Sequence, residues 1–166
     1  LLEALKNYSY SCNVVLITSD KVYKNNEWIW GYRENDILGG KDPYSASKAS
    51  AEIAIKSYYE SYLKKNTNLR IGICRAGNVI GGGDWAQHRL IPDCVRSWTK
   101  NQNVLIRNPK ATRPWQHVLE PISGYLSLAV SLKESDKLSG QAYNFGPSSD
   151  NNFSVEQVLK EISKYW

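Results

Sequence analysis

Two runs of mostly apolar residues, NVVLIT at 13–18 and LRIGICRA at 69–76, constrain the fold more than anything else in the chain. Neither alternates strictly between polar and apolar, so neither reads as a strand with one wet face. Continuous apolar, β-branched stretches of this length are typical of strands covered on both faces. Between them, residues 44–63 read as a helix. Pro43 suits its first turn, where a missing N–H costs little, and Asp42 is a suitable N-cap. Buried strand, helix and buried strand together predict an α/β fold with a parallel sheet.

The alternation continues along the chain. Residues 1–8 read as the end of a helix. Residues 24–43 form a long loop rich in Asn, Gly and Trp; loops of such length in compact domains are usually functional or disordered, and its aromatics argue against disorder. After the second strand come a glycine-rich loop, GNVIGGGDW, and a helix over about 90–100. NVLIR (103–107) reads as a short strand and ATRPWQHV as a loop. Residues 119–133 read as a helix entered through Pro121, and QAYNFG (141–146) as a strand. Ser154 opens a last helix in a capping box, SVEQ, with Gln157 reaching back.

Charge and cysteine usage narrow the partners. A formal net charge of +5 admits an anionic ligand, yet the basic residues are scattered, with no Lys/Arg block or aromatic-basic repeat. That argues against nucleic acid and leaves a small phosphorylated ligand or an ordinary basic surface. Cys12, Cys74 and Cys94 are odd in number and lack CxxC spacing, so buried thiols in a reducing cytoplasm are expected, with no metal site. No stretch approaches the roughly 18 apolar residues of a membrane span. The opening LLEALKNYSY is not a signal peptide, and the absence of Met leads us to expect a fragment of a longer chain.

In open parallel sheets, ligands bind beyond the carboxyl ends of the strands. TSDK follows the first strand there, and GNVIGGGD the second. The strongest local signal lies on the intervening helix: Tyr44 and Lys48, in YSASK, are four apart and share a face. An ammonium beside a phenol favours phenolate, which suits a general acid/base for alcohol–ketone interconversion. By itself this spacing also fits a solvated helix face.

A hydroxyl at a strand end (Ser19), then Tyr44 and Lys48 in this order, resembles the short-chain dehydrogenase/reductase superfamily. SDKVY (19–23) is similar to the Thr-Asp-Glu-Val-Tyr stretch of the hexose 4,6-dehydratases, with Ser for Thr and Lys for Glu. The Asp-Lys pair, NNEWIWGYRENDILGGKDPYSASKASAE, RAGNVIGGGDW and TRPWQHVLEP resemble the CDP-glucose 4,6-dehydratase family. Related 4-epimerases and reductases are the alternative; they usually carry small or neutral residues after the hydroxyl.

The resemblance implies part of a Rossmann-like doubly wound parallel sheet plus part of a smaller substrate-binding lobe. Residues 1–80 would be the C-terminal half of the NAD-binding domain, and 81–166 the nucleotide-sugar lobe mixed with late Rossmann elements. It also implies NAD as cofactor, CDP-glucose as substrate, and a role in deoxysugar and O-antigen synthesis. Ser19 would bind the C4 oxygen, Tyr44 would be the acid/base, and Lys48 would hold the nicotinamide ribose. Asp20 would donate to the departing C6 hydroxyl, or merely cap a loop. Lys21 would act at C5, as a neutral base or as a charged stabiliser of the enolate. Val79 would present its backbone to the cofactor, and Asn78 would contact the substrate near its phosphate. Arg89, Leu90 and Pro92 would line the nucleotide, and Val104, Leu105 and Ile106 would lie against the base. Arg113 would grip the diphosphate, which suits a guanidinium. His117 would either pack or contact ligand, and Asn144 would be structural. The glycine-rich dinucleotide fingerprint is absent, so the segment alone should be inactive and expose apolar sheet edge. The Tyr44–Leu63 helix would mediate homo-oligomerisation.

Overall fold

In the computed structural model, which describes residues 1–166, the two apolar runs form β1 (Cys12–Ile17) and β2 (Leu69–Ala76). They pair in parallel, Val14 opposite Ile71 and Leu16 opposite Ile73. A third parallel strand, β6 (Gln141–Phe145), pairs with the other side of β2 and gives the order β1-β2-β6. The chain divides into two compact units, Leu1–Gly77 with Leu119–Gly146, and Asn78–Val118 with Pro147–Trp166.

The central strand behaves as its sequence predicts: apart from half-buried Arg70, every residue of β2 is buried. Strand β1 does not. Its residues are half-buried and Ile17 is 56 % exposed. The reason is position, because β1 has a paired neighbour on one side only.

Helices cover both faces of this sheet. On one face, Leu5 of α1 (Leu2–Lys6) and Leu63 pack with Leu69 and Ile71, flanked by Val14 and Leu16. On the other, Leu128 and Leu132 of α4 (Leu119–Glu134) pack with Cys74, flanked by Val15 and Phe145. The period of two along β1 thus sends alternate residues to separate clusters. Burial pushes the Cys74 thiol up to about 12, so it is a packed apolar group and no nucleophile. All three cysteines are free.

The helix expected over 44–63 is α2 (Pro43–Tyr58), continued by one π-helical turn, Tyr59–Leu63. Gly140 faces that turn with φ +79°, and a Cβ there would sit 2.1 Å from Cε1 of Tyr59. Gly140→Ala therefore combines a left-handed backbone with overpacking. We expect it to lower unfolding stability in urea by about 1–3 kcal/mol. Gly82→Ala, where nothing lies within 4 Å, is the matched control and should change stability by less than about 0.5 kcal/mol.

In the second unit, α3 (Leu90–Trp98) and α5 (Val155–Ile162) occur as expected. The capping box at Ser154 is complete, with Oγ accepting from the Gln157 N–H and the Gln157 amide oxygen accepting from the Ser154 N–H. The strand expected at 103–107 is absent; that segment has no ladder partner, so its β-branched residues lack a sheet to join. ATRPWQHV, expected as a loop, carries two short strands. These are β4 (Thr112–Arg113), antiparallel to β7 (Phe153–Ser154), and β5 (Gln116–His117), parallel to β3 (Val79–Ile80). Two-residue strands leave no periodicity to read. No helix of the chain is long and apolar enough to cross a membrane.

Candidate active site

Pairing along β1 runs one residue past the strand, as the Thr18 N–H donates to the Cys74 carbonyl at 2.8 Å. Ser19 then turns the chain out of the sheet in an extended conformation and caps a 3-10 turn, Asp20–Val22. Its Oγ accepts from the Lys21 N–H at 3.2 Å and donates to Asp20 Oδ1 at 3.1 Å. Ser19 is 7 % exposed, Asp20 is half-buried and Lys21 is exposed. The opening of the TSDK stretch is therefore a compact turn at the carboxyl end of a parallel strand, where such sheets place their ligands.

The start of α2 is fixed independently. Asp42 accepts from the Ser45 N–H at 3.0 Å and from its hydroxyl at 2.6 Å. The Ser45 hydroxyl, then the Ser45 amide, hold the Asp42 carboxyl below the usual carboxylate range, with a smaller pull from the Lys21 ammonium. The turn Asp20–Val22, which carries Lys21, packs against the helix carrying Tyr44 and Lys48. Gly40 lets the preceding loop reach this turn, because a Cβ there would lie 2.4 Å from Cβ of Ser45. Tyr44 is 53 % exposed, and the Lys48 ammonium lies 5.8 Å from its ring centroid. Ser19, Asp20, Lys21, Tyr44 and Lys48 thus come from two neighbouring elements of one unit.

Beneath these residues lies a polar network that the sequence reading did not assign. Glu52 and Arg75 form an ion pair with side chains 2 % and 4 % exposed. Arg75 Nε donates to both Glu52 oxygens, at 2.9 and 3.0 Å, and Nη2 donates to Oε2. Thr18 Oγ1 donates to Glu52 Oε1 at 2.5 Å. On its other side, Arg75 Nη1 donates to the Tyr23 hydroxyl (2.7 Å) and the Glu34 carbonyl (2.9 Å). Tyr23 donates to Asn144 Oδ1 at 2.6 Å and stacks on Tyr32. Burial works against the Arg75 charge, but hydrogen bonds to Glu52 and Tyr23 outweigh it and raise the pKa. Burial raises the Tyr23 phenol as well, only partly opposed by Arg75. The sequence holds only half of a signal: Arg75 is a charge inside an apolar strand, but nothing in the sequence pairs it with Glu52, 23 residues away.

The remaining predicted residues belong to the second unit. Asn78 precedes β3, which Val79 begins, and the carbonyls of Asn78 and Ile80 accept from the Gln116 and Val118 N–H groups at 3.0 and 2.8 Å. Arg89 is the exposed N-cap residue of α3, which Leu90 begins. Leu105 is 90 % exposed in the segment without a ladder. Arg113, half-buried on β4, donates to the Thr112 carbonyl at 2.7 Å. Past the glycines of this loop, Arg96 donates to the Trp85 carbonyl at 2.8 Å and the Ala86 carbonyl at 3.2 Å. Asp84 accepts from the Ala86 N–H at 3.0 Å.

The family model for GDP-mannose 4,6-dehydratase matches residues 1–164. The chain belongs to the GDP-mannose 4,6-dehydratase family. The CDP-glucose 4,6-dehydratase of Salmonella typhimurium is 47 % identical over 170 residues, covering 100 % of this chain and 47 % of its own. The dTDP-D-glucose 4,6-dehydratase of Dictyostelium discoideum is 29 % identical, over 98 % of this chain and 38 % of its own. The chain thus spans about half the length of the curated relatives it matches. Among solved structures, dTDP-glucose 4,6-dehydratase from Bacillus anthracis, in complex with NAD, superposes with a TM-score of 0.76 at 24 % identity, over 98 % of this chain and 48 % of that one. UDP-glucuronic acid 4-epimerase from Bacillus cereus, with UDP-glucuronic acid and NAD, gives 0.82 at 19 %, over 99 % and 48 %. Membership bears out the resemblance read from the SDKVY, YSASK and RAGNVIGGGDW stretches. The two superpositions bear out the α/β fold with a parallel sheet.

Proposed function

We propose that the whole protein carries out NAD-dependent dehydration of CDP-glucose to CDP-4-dehydro-6-deoxy-glucose. The observation that carries this reading is the placement of Ser19, Asp20 and Lys21 at the end of β1, beside the helix that presents Tyr44 and Lys48. The CDP assignment rests on the 47 % identity to the Salmonella enzyme. A dinucleotide fits the residues present: an exposed phenol and a half-buried ammonium share one face of α2 and offer donors to a ribose. Tyr44 and Lys48 would hold it, with the Val79 backbone a further contact.

NAD would supply a hydride acceptor for C4 and a hydride donor for C6. Tyr44 takes the proton of the C4 hydroxyl, and Ser19 hydrogen-bonds that oxygen. The ketone at C4 acidifies the C5 proton. Lys21 acts at C5, either as a neutral amine that takes this proton and returns one at the end, or as a cation that stabilises the enolate while water takes the proton. Asp20 gives a proton to the C6 hydroxyl, which leaves as water. The C5 position regains a proton at the end, so the net change is loss of one water. Arg113 holds the diphosphate, Asn78 lies near it, and Arg89, Leu90 and Leu105 bind the nucleotide. The product suits deoxysugar synthesis for an O-antigen, in the cytoplasm. The partner is the nucleotide sugar, and α2, with Ile53 59 % exposed and Tyr62 55 % exposed in the following turn, is the homo-oligomer surface.

The test is an assay of the whole protein against CDP-, dTDP- and GDP-hexoses, reading the alkali absorbance of a 4-keto-6-deoxy product. A CDP-glucose preference is expected. Lys21→Met should abolish exchange of the C5 proton with solvent deuterium; retained exchange would remove any role for Lys21 at C5.

A further inference from the structure

We propose that the buried Glu52–Arg75 pair is a positioning device, which through Thr18 fixes the strand end carrying Ser19 against the helix carrying Tyr44 and Lys48. This rests on the catalytic reading above. Glu52 follows Tyr44 and Lys48 on the same stripe of α2, at steps of four, so a clamp on Glu52 acts on the rigid element bearing both. Thr18 is the residue before Ser19, and its hydroxyl donates to Glu52 at 2.5 Å. Arg75 anchors Glu52 to β2, the strand paired with β1. Three elements therefore meet at one carboxylate.

A buried ion pair is weak evidence for stability, since apolar residues of similar volume often serve as well. What charged, forked hydrogen bonds add is direction. Arg75 spends its remaining donors on Tyr23 and the Glu34 carbonyl, which ties the long loop after Ser19 to the same hub. Reacting groups displaced by about 1 Å lose rate on the order of 100-fold, so a device that holds two elements in register affects turnover more than binding.

The test is Thr18→Val in the whole protein, a near-isosteric change that removes the bond to Glu52 and leaves Arg75 to satisfy the carboxylate. With CDP-glucose, kcat should fall about tenfold or more while KM stays within about twofold. Thr18→Ser, which keeps the hydroxyl, should recover most of the loss. Amide hydrogen exchange should quicken over residues 19–23. An unchanged kcat overturns the proposal, whatever happens to Tm, and so does wild-type exchange over 19–23. If the wild-type protein turns over no nucleotide sugar, the functional reading fails separately. Exchange in Thr18→Val then decides the positioning role alone: faster over 19–23 supports it.

Discussion

Tyr44→Phe in the whole protein is expected to lower kcat for CDP-glucose by about 100- to 10,000-fold, the range that a positioned acid/base contributes. KM should stay within about threefold, because an interaction made mainly in the transition state is lost. The change removes one hydroxyl from a ring that is 53 % exposed, at the second residue of a helix capped elsewhere, by Asp42. Stability should therefore move by less than about 0.5 kcal/mol, as for other surface substitutions. The split between lost turnover and intact folding, read by steady-state kinetics and urea denaturation, is what makes the variant informative. A Tyr44→Phe protein with wild-type kcat would take the acid/base role from α2 altogether.

The second large effect falls on stability. Glu52→Ala leaves the Arg75 guanidinium, now 4 % exposed, without its carboxylate. Breaking one side of a buried ion pair costs about 3–5 kcal/mol, because the remaining charge is uncompensated. That is a large share of the roughly 5–15 kcal/mol by which domains are stable. Replacing both partners, Glu52→Leu with Arg75→Met, should cost much less, since no charge is left behind. Urea midpoints of the single and double variants check the ordering. A double variant as unstable as Glu52→Ala would mean that Tyr23, Glu34 and Thr18 depend on the charges as strongly as the charges depend on each other.

The parts of the fold that the sequence declared were those with a period or a cap. LRIGICRA is apolar throughout its buried length apart from its two arginines, and Asp42-Pro43 and SVEQ fix their helix starts by local hydrogen bonds. NVVLIT forms a strand as expected, and within this chain it is half-buried, with a paired neighbour on one side only. NVLIR does not form one, being a β-prone segment without a partner. The short ladders at 112–113 and 116–117 depend on residues far along the chain, Phe153–Ser154 and Val79–Ile80. At the candidate site, Ser19, Tyr44 and Lys48 were singled out in the sequence by their order and spacing. Arg75 and Glu52 were not, because they stand 23 residues apart and only the fold brings them into contact.

In the proposed reaction a hydride leaves C4 and returns at C6 of the same sugar. Deuterium placed at C4 of CDP-glucose tests it most directly when the product is examined by NMR. A 4-keto-6-deoxy product carrying the deuterium at C6 is expected. Deuterium retained at C4, in a hexose of inverted configuration, would contradict it and assign the protein to the 4-epimerases instead.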